Sequence, residues 1–158
     1  MYEFFTSLPP EIKTFLLSMT PVGELRLSIP WSINFYDFSV TKAFIISFLG
    51  NNFINLVLFY LALPIANWLE KQKFFLGKFV AWVRKHLEIK GEKYLEKWGS
   101  LAILIICSIP LPGFGGWTGA GIAAFLGISP KKAVPSMIIG TLISAVLVTL
   151  TTLGAISL

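Results

Sequence analysis

Glu24 and Arg26 stand two residues apart near the centre of Thr14–Tyr36, a stretch with no other charged side chain. A carboxyl group can take up and release a proton, whereas a guanidinium stays charged and offers a planar fork suited to phosphate or carboxylate. The stretch is long enough to enter a bilayer, and ionisable groups at that depth usually mark a substrate or ion pathway. Pro21, Gly23 and Pro30 bracket the pair as helix breaks. Broken backbone survives inside a membrane only where protein or water covers it. The breaks favour an extended tip, on which residues two apart share a face; on a helix they would point nearly opposite ways. Glu24 and Arg26 are therefore expected to converge. Burial favours the protonated form of Glu24 and a nearby guanidinium its ionised form, so Glu24 is the candidate for proton coupling and the pair a candidate substrate site. The alternative is a structural pair that only holds a hairpin together, and the same salt bridge could open to admit an anion.

A second constellation, Pro110–Gly119, offers backbone instead of charge. Pro110 and Pro112 interrupt the chain, and Gly113, Gly115, Gly116 and Gly119 permit positive φ and close approach. A half-helix starting after the break would aim its N-terminal amides at an anion, although glycine serves tight membrane packing equally well. Trp117 and Thr118 either line the resulting cavity or fill space between hairpins. Asn51 and Asn55 share a helical face and are expected to turn inward, for interhelical hydrogen bonds or as a polar path lining the site. Thr141, Ser144, Thr149, Thr151 and Thr152 suit either role, with helix packing the first reading, and Cys107 reads as a small packing residue. His86 reads as a solvated interface residue. One cysteine and one histidine do not supply a metal site of the usual spacing. No nucleophile–base arrangement or phosphate loop is visible, so neither an enzyme nor a cofactor is expected.

The elements that must position these groups follow from composition. Of 158 residues 55% are hydrophobic and 13% charged, about half the charge of a soluble domain, with mean hydropathy +0.76. Ala43–Leu69, Trp98–Pro130 and Ala133–Leu158 are uncharged runs of 27, 33 and 26 residues, each above the roughly 20 needed to span a bilayer. The net charge of +5 is not a nucleic-acid footprint. Eight of the 13 Lys and Arg fall within Lys71–Lys97 beside glutamates, the pattern of a juxtamembrane segment facing anionic lipid. Met1–Leu8 lacks the basic start of a secretory signal, so the first apolar segment is expected to direct insertion.

Shifted by 90 places, Ser18–Gly50 aligns with Ser108–Gly140 with seven of 33 pairs identical, among them Gly23/Gly113, Ser39/Ser129, Lys42/Lys132, Ala43/Ala133 and Gly50/Gly140. Each half runs apolar segment, Pro/Gly break, short apolar return, Ser-x-x-Lys-Ala, long uncharged helix. Internal repeats of this kind build many transporters. If the broken segments dip in and return, each half crosses once and the repeat is inverted; if they cross, the halves are parallel. The inverted arrangement places the basic 71–97 region and Lys131–Lys132 on one side, with Lys13 and Lys42 opposite, and so agrees better with the positive-inside rule.

The expected architecture is an all-α integral membrane protein in one domain, residues 1–158. It is an inverted repeat of re-entrant helical hairpin plus transmembrane helix, with repeat 1 at about 14–69, a linker at 70–98 and repeat 2 at about 99–158. A short interfacial helix begins near Pro9 or Pro10, and a first hairpin covers Thr14–Tyr36. Spanning helices run from about Thr41 to Trp68 and from Lys131 to Leu158, with a second hairpin over Ser100–Ile128. Phe75, Phe79, Trp82, Val83 and Leu87 share one face of an amphipathic helix, opposed by Lys78, Lys85, Glu88 and Glu92. That segment is expected on the cytoplasmic surface of the cell membrane, with both chain ends outside. So thin a bundle would cover a polar cavity better as a symmetric homodimer.

The motifs Pro21-Val-Gly-Glu-Leu-Arg-Leu-Ser-Ile-Pro30 and Ile109-Pro-Leu-Pro-Gly-Phe-Gly-Gly-Trp-Thr-Gly119 resemble those of the small multidrug export protein family, a distant member of the DedA (SNARE-associated, VTT) superfamily. The resemblance covers essentially the whole chain. It implies an inverted repeat of hairpin plus transmembrane helix, and transport, with proton coupling and with lipids or polyprenyl phosphates as substrates of DedA relatives. Phe114 stands where Glu24 aligns, so the second motif lacks the acidic residue of many DedA members and a symmetric two-carboxylate mechanism is not implied. The function expected is transport or flipping of an amphiphilic, anionic-headed substrate through the bilayer. The alternatives are a non-transporting structural or assembly protein and a small-drug exporter. Cysteine accessibility tests the topology: in a Cys107→Ser background, cysteines at Ser129 and Lys90 are expected to label from one side and Ser39 from the other. Labelling of Ser129 from the Ser39 side would replace the inverted arrangement with four spans.

Overall fold

A computed structural model describes residues 8–70, 92–111 and 113–156. Six α-helices and no strands occur among them: α1 Pro10–Ser18, α2 Glu24–Tyr36, α3 Val40–Glu70, α4 Glu92–Ser108, α5 Gly116–Phe125 and α6 Pro130–Ile156. Most of the amphipathic linker expected at 70–98, with His86, lies outside the described residues, as does Pro112.

Local chemistry sets the helix ends. Pro10 opens α1, where its missing N–H costs nothing, and Glu11 follows in the first turn. The Thr20 hydroxyl donates to the Leu17 carbonyl (2.8 Å) and accepts the Gly23 amide (2.9 Å), turning the chain from α1 into α2. Asp37, left-handed at φ 51°, ends α2. The shared Ser-x-x-Lys-Ala motif opens both long helices alike: Ala43 N–H donates to Ser39 O at 3.0 Å and Ala133 N–H to Ser129 O at 2.9 Å.

Length separates the helices into two kinds. Val40–Ala62 of α3 and Pro130–Ala155 of α6 are apolar over 23 and 26 residues, about 35 and 39 Å at ~1.5 Å per residue, enough to cross a hydrocarbon core of about 30 Å. With 9, 13 and 10 residues, α1, α2 and α5 reach only about 14, 20 and 15 Å. In α4 the apolar part is Trp98–Ser108. The short helix expected near Pro9 or Pro10 begins at Pro10 and runs to Ser18, so it overlaps the start of the Thr14–Tyr36 stretch.

Polarity is inverted relative to a soluble fold. Ile45, Leu49 and Phe53 of α3 and Leu142, Leu147 and Leu150 of α6 point outward, while Ser47, Asn51, Asn55, Thr141, Ser144 and Thr149 are buried. An apolar exterior of this extent would aggregate in water. Polar groups on the inside of a helix bundle are how membrane helices bond to one another.

The two halves interlock. In each, the long helix packs on the short ones of its own half, and in addition α5 lies against α3 and α2 against α6. Phe59, Ile103, Cys107, Ala120, Ala123, Ala124 and Met137 join α3, α4, α5 and α6 in one core, and Leu25, Ile29, Ala145 and Val148 join α2 to α6. Gly50 and Gly140, equivalent in the repeat, do the same work: Gly50 lets α3 approach Phe15 and Ser18 of α1, and Gly140 lets α6 approach Leu104 and Cys107 of α4. A Cβ at Gly140 would stand 2.6 Å from the Leu104 carbonyl oxygen, a backbone atom that cannot step aside. Gly140→Ala is expected to destabilise the protein by ~1–3 kcal/mol, the usual cost of overpacking, read as a lower thermal midpoint in detergent. Gly121→Ala, with open space around it, is expected to be neutral or slightly stabilising.

Candidate functional site

Glu24 begins α2 directly after the turn and is held at φ 37°, a left-handed conformation uncommon for a side chain of this size. The turn sends its carboxylate inward, where the residue is 7% exposed. There it meets the start of α5. Trp117 N–H, in the first turn of that helix, donates to Glu24 Oε1 across 3.5 Å. The carboxylate rests on Gly115, where a Cβ would fall 2.5 Å from Oε2 and 3.0 Å from Oε1. Gly115 has φ 123° and ψ −165°, a region open essentially to glycine alone, and its amide is tied back to Ile106 O at 3.1 Å. The half-helix N-terminus expected to face an anion thus faces the protein's own carboxylate, where free amides and helix dipole favour negative charge.

Arg26 does not join Glu24. Its Nε donates to Val22 O at 3.1 Å and its Nη2 to Pro21 O at 3.4 Å, so the guanidinium folds back over the turn. The reason is local: residues 24 and 26 both belong to α2, and two residues on a helix diverge. Pro21 and Gly23 lie in the turn, but Pro30 sits inside α2 and does not break it. The extended tip is therefore replaced by a tight turn and a helix start, and the expected salt bridge is absent.

Behind the carboxylate lies a cavity of ≈ 10 Å³, lined by Glu24, Arg26, Asn51, Thr141 and Ser144 with Gly115, Gly116 and Pro110 between them. That is room for about one water molecule. Asn51 and Asn55 do turn inward. Asn51 Nδ2 donates to Ser18 O (3.3 Å) and Asn55 Nδ2 to Asn51 Oδ1 (2.7 Å). The Asn55 amide lies against Gly116, where no side chain would fit, and its Oδ1 is buried without a partner among the described residues. Thr141 Oγ1 lies 3.0 Å from Asn52 Oδ1, joining α6 to α3. The Trp117 indole donates to Met19 O at 3.2 Å and so ties the start of α5 to the end of α1. Thr118 bonds its own loop through Gly113 O at 3.0 Å, and Gly113, at φ 86°, is exposed with open space where a Cβ would stand. These two shape the loop without lining the cavity.

The sequence leaves Thr141 and Ser144 open between packing and a polar path and reads Cys107 as packing; all three line the cavity. The signal for Thr141 was the repeat itself: Asn51 and Thr141 are 90 places apart, as are Leu25 and Gly115, and Arg26 and Gly116, and all six line the cavity. The site therefore gathers matching positions of the two halves, with the acid contributed by one.

Among the described residues the secondary structure is all helical, with two helices long and apolar enough to cross a membrane, an apolar exterior and a polar cavity between short helices, features consistent with a small membrane protein. The chain belongs to the family described as "Putative small multi-drug export protein", whose model matches residues 24–147. The match begins at Glu24 and includes every cavity residue. No curated protein and no solved structure matches the chain significantly.

The geometry makes Gly115 a sensitive reporter. Gly115→Ala meets both a glycine-only backbone region and the Glu24 carboxylate, and is expected to lower stability by ~1–3 kcal/mol. It should also raise carbodiimide labelling of Glu24 in detergent above that of the native chain. Unchanged labelling would mean that the carboxylate does not rest on this glycine.

Proposed function

We propose that the chain is a membrane transporter, or flippase, for an amphiphilic substrate with an anionic head, of the lipid or polyprenyl phosphate class, with Glu24 as its proton-coupling group. One observation carries the reading: a buried carboxylate occupies the amide N-terminus of a half-helix, the seat an anionic head would take. Glu24 holds that seat through one long hydrogen bond, and protonation removes the charge that the amides favour. The protonated side chain leaves the seat to the substrate; loss of the proton returns the carboxylate and expels the head. Arg26, which lines the same cavity, exchanges the turn carbonyls for the head group. Asn51 and Asn55 line the path beside it.

A cavity sized for one water cannot hold this substrate, so the structure corresponds to the closed state, and α2 and α5 must separate to admit a head. In the proposed architecture α1–α2 and α4–α5 are re-entrant hairpins and the halves form an inverted repeat. The matched Ser39/Ser129 caps and Gly50/Gly140 contacts support that reading. The relationship extends to the DedA superfamily. The protein works as a homodimer in the plasma membrane, with the basic 70–98 segment on the cytoplasmic side. The family description favours a second reading, a small-drug exporter using the same seat.

Reconstitution into liposomes tests the function. Glu24→Gln is expected to retain the fold and lose dependence of flux on a proton gradient. Arg26→Ala is expected to reduce head-group-dependent flux by ~10–100-fold, the worth of a charged hydrogen bond of about 1.5–3 kcal/mol. Absence of flux or lipid flipping across a broad substrate panel would instead assign the buried carboxylate a purely structural task.

A further inference from the structure

Two buried side-chain atoms among the described residues lack a hydrogen-bond partner, Ser47 Oγ and Asn55 Oδ1. A hydroxyl can rotate to suit a neighbour, but this amide oxygen cannot. Its direction is fixed by a ladder of three residues. The Ser18 carbonyl only accepts, so Asn51 must present Nδ2 to it, at 3.3 Å; the remaining Asn51 Oδ1 then accepts Asn55 Nδ2 at 2.7 Å. Turning the Asn55 amide over would set two acceptors face to face. Asn55, at 0% exposure, therefore holds out an acceptor that no group answers, and a buried orphan of this kind needs a donor.

That oxygen lies against the start of α5, which packs on α3. A Cβ on Gly116 would stand 2.6 Å from Asn55 Oδ1, and a Cβ on Gly115, the preceding residue, 2.5 Å from Glu24 Oε2. The orphaned acceptor and the buried carboxylate thus rest on neighbouring glycines, with no side chain on either to part them. As a carboxylate Glu24 only accepts, and it takes the Trp117 N–H. As an acid it gains one O–H donor. We propose that protonated Glu24 donates this O–H to Asn55 Oδ1, and that Asn55 is the positioning residue that draws the neutral side chain off the α5 amides.

The proton stays on Glu24 throughout; what changes hands is the hydrogen bond. Two further ionisable side chains face the carboxylate across the cavity, Arg26 from α2 and Cys107 from α4, while α1, α3, α5 and α6 contribute none to the lining. A guanidinium has no acceptor and a thiol only a weak one, so neither competes with the amide oxygen for the acid proton. The use of the switch rests on the proton-coupling reading: once Glu24 turns to Asn55, the Trp117 N–H is released to an anionic head. The hydrogen bond itself stands on the orphaned oxygen.

Infrared difference spectroscopy between neutral and acidic pH, on the full chain in neutral maltoside micelles, tests the proposal. Subtracting Glu24→Gln isolates the acid band of Glu24. Expected is the carbonyl stretch of a hydrogen-bonded acid in the native chain, shifted by Asn55→Leu to the higher frequency of a free acid. A second measurement leaves Asn55 in place, on chain isotopically labelled at the asparagine side-chain carbonyls. Acidification should shift an asparagine carbonyl band, and Glu24→Gln, whose amide already donates, should remove that response. A Glu24 band unmoved by Asn55→Leu, or protonation of Glu24 with no asparagine response, overturns the proposal and leaves proton coupling standing. Absence of any Glu24 acid band overturns both. An asparagine response in a protein that moves no substrate across vesicles upholds the switch and removes the transport reading alone.

Discussion

Everything in this molecule turns on one charged group placed where water is scarce. The Glu24 carboxylate is buried between two short helices and answered by the amide end of α5 across a single 3.5 Å bond. Burying an ion costs several kcal/mol even after the protein relaxes, whereas a helix N-terminus returns at most about 2 kcal/mol. The charge is thus held but not satisfied. The left-handed φ of Glu24 and the glycine-only backbone at Gly115 show that the chain accepts local strain to bring these two groups together. Strain of that kind collects at functional sites.

The rest of the fold follows from giving that group a polar interior inside an apolar bundle. Two long helices supply the walls that meet lipid, and their inward faces carry Asn51, Asn55, Thr141 and Ser144. The short helices end inside the bundle, so that backbone amides, which a continuous helix would consume, remain available at the start of α5. Glycines at equivalent places in the two halves set how closely short and long helices approach. Cross-packing of α5 on α3 and of α2 on α6 couples the halves, so neither hairpin can move without disturbing the other's long helix.

Much of this was legible in the sequence, for physical reasons. Uncharged runs gave α3 and α6 nearly to the residue, because bilayer thickness sets their length. Ser39 and Ser129 marked the helix starts, and Pro21, Gly23 and Pro110 fall between helices in the structure. Three things were not legible. Pro30 was read as a break, but a proline tells only which hydrogen bond is missing, and α2 accommodates it. The Glu24–Arg26 pair was expected on an extended tip; once the turn closes at Gly23 and helix resumes at Glu24, the two side chains diverge and Arg26 finds backbone carbonyls nearer. The cavity-lining duties of Thr141 and Ser144 depend on which face of α6 turns inward, which a uniformly apolar helix does not announce. The repeat carried part of that information, in the pairing of Asn51 with Thr141.

The claim at the centre is that Glu24 and an anionic head group compete for one set of amides. The backbone amide resonance of Trp117, followed by magnetic resonance on protein labelled at tryptophan in micelles, reports that seat directly. Competition predicts that the resonance shifts on Glu24→Gln, and that dodecyl phosphate then binds and shifts it further, more strongly than in the native chain. A Trp117 amide indifferent both to the substitution and to the phosphate amphiphile would contradict the account.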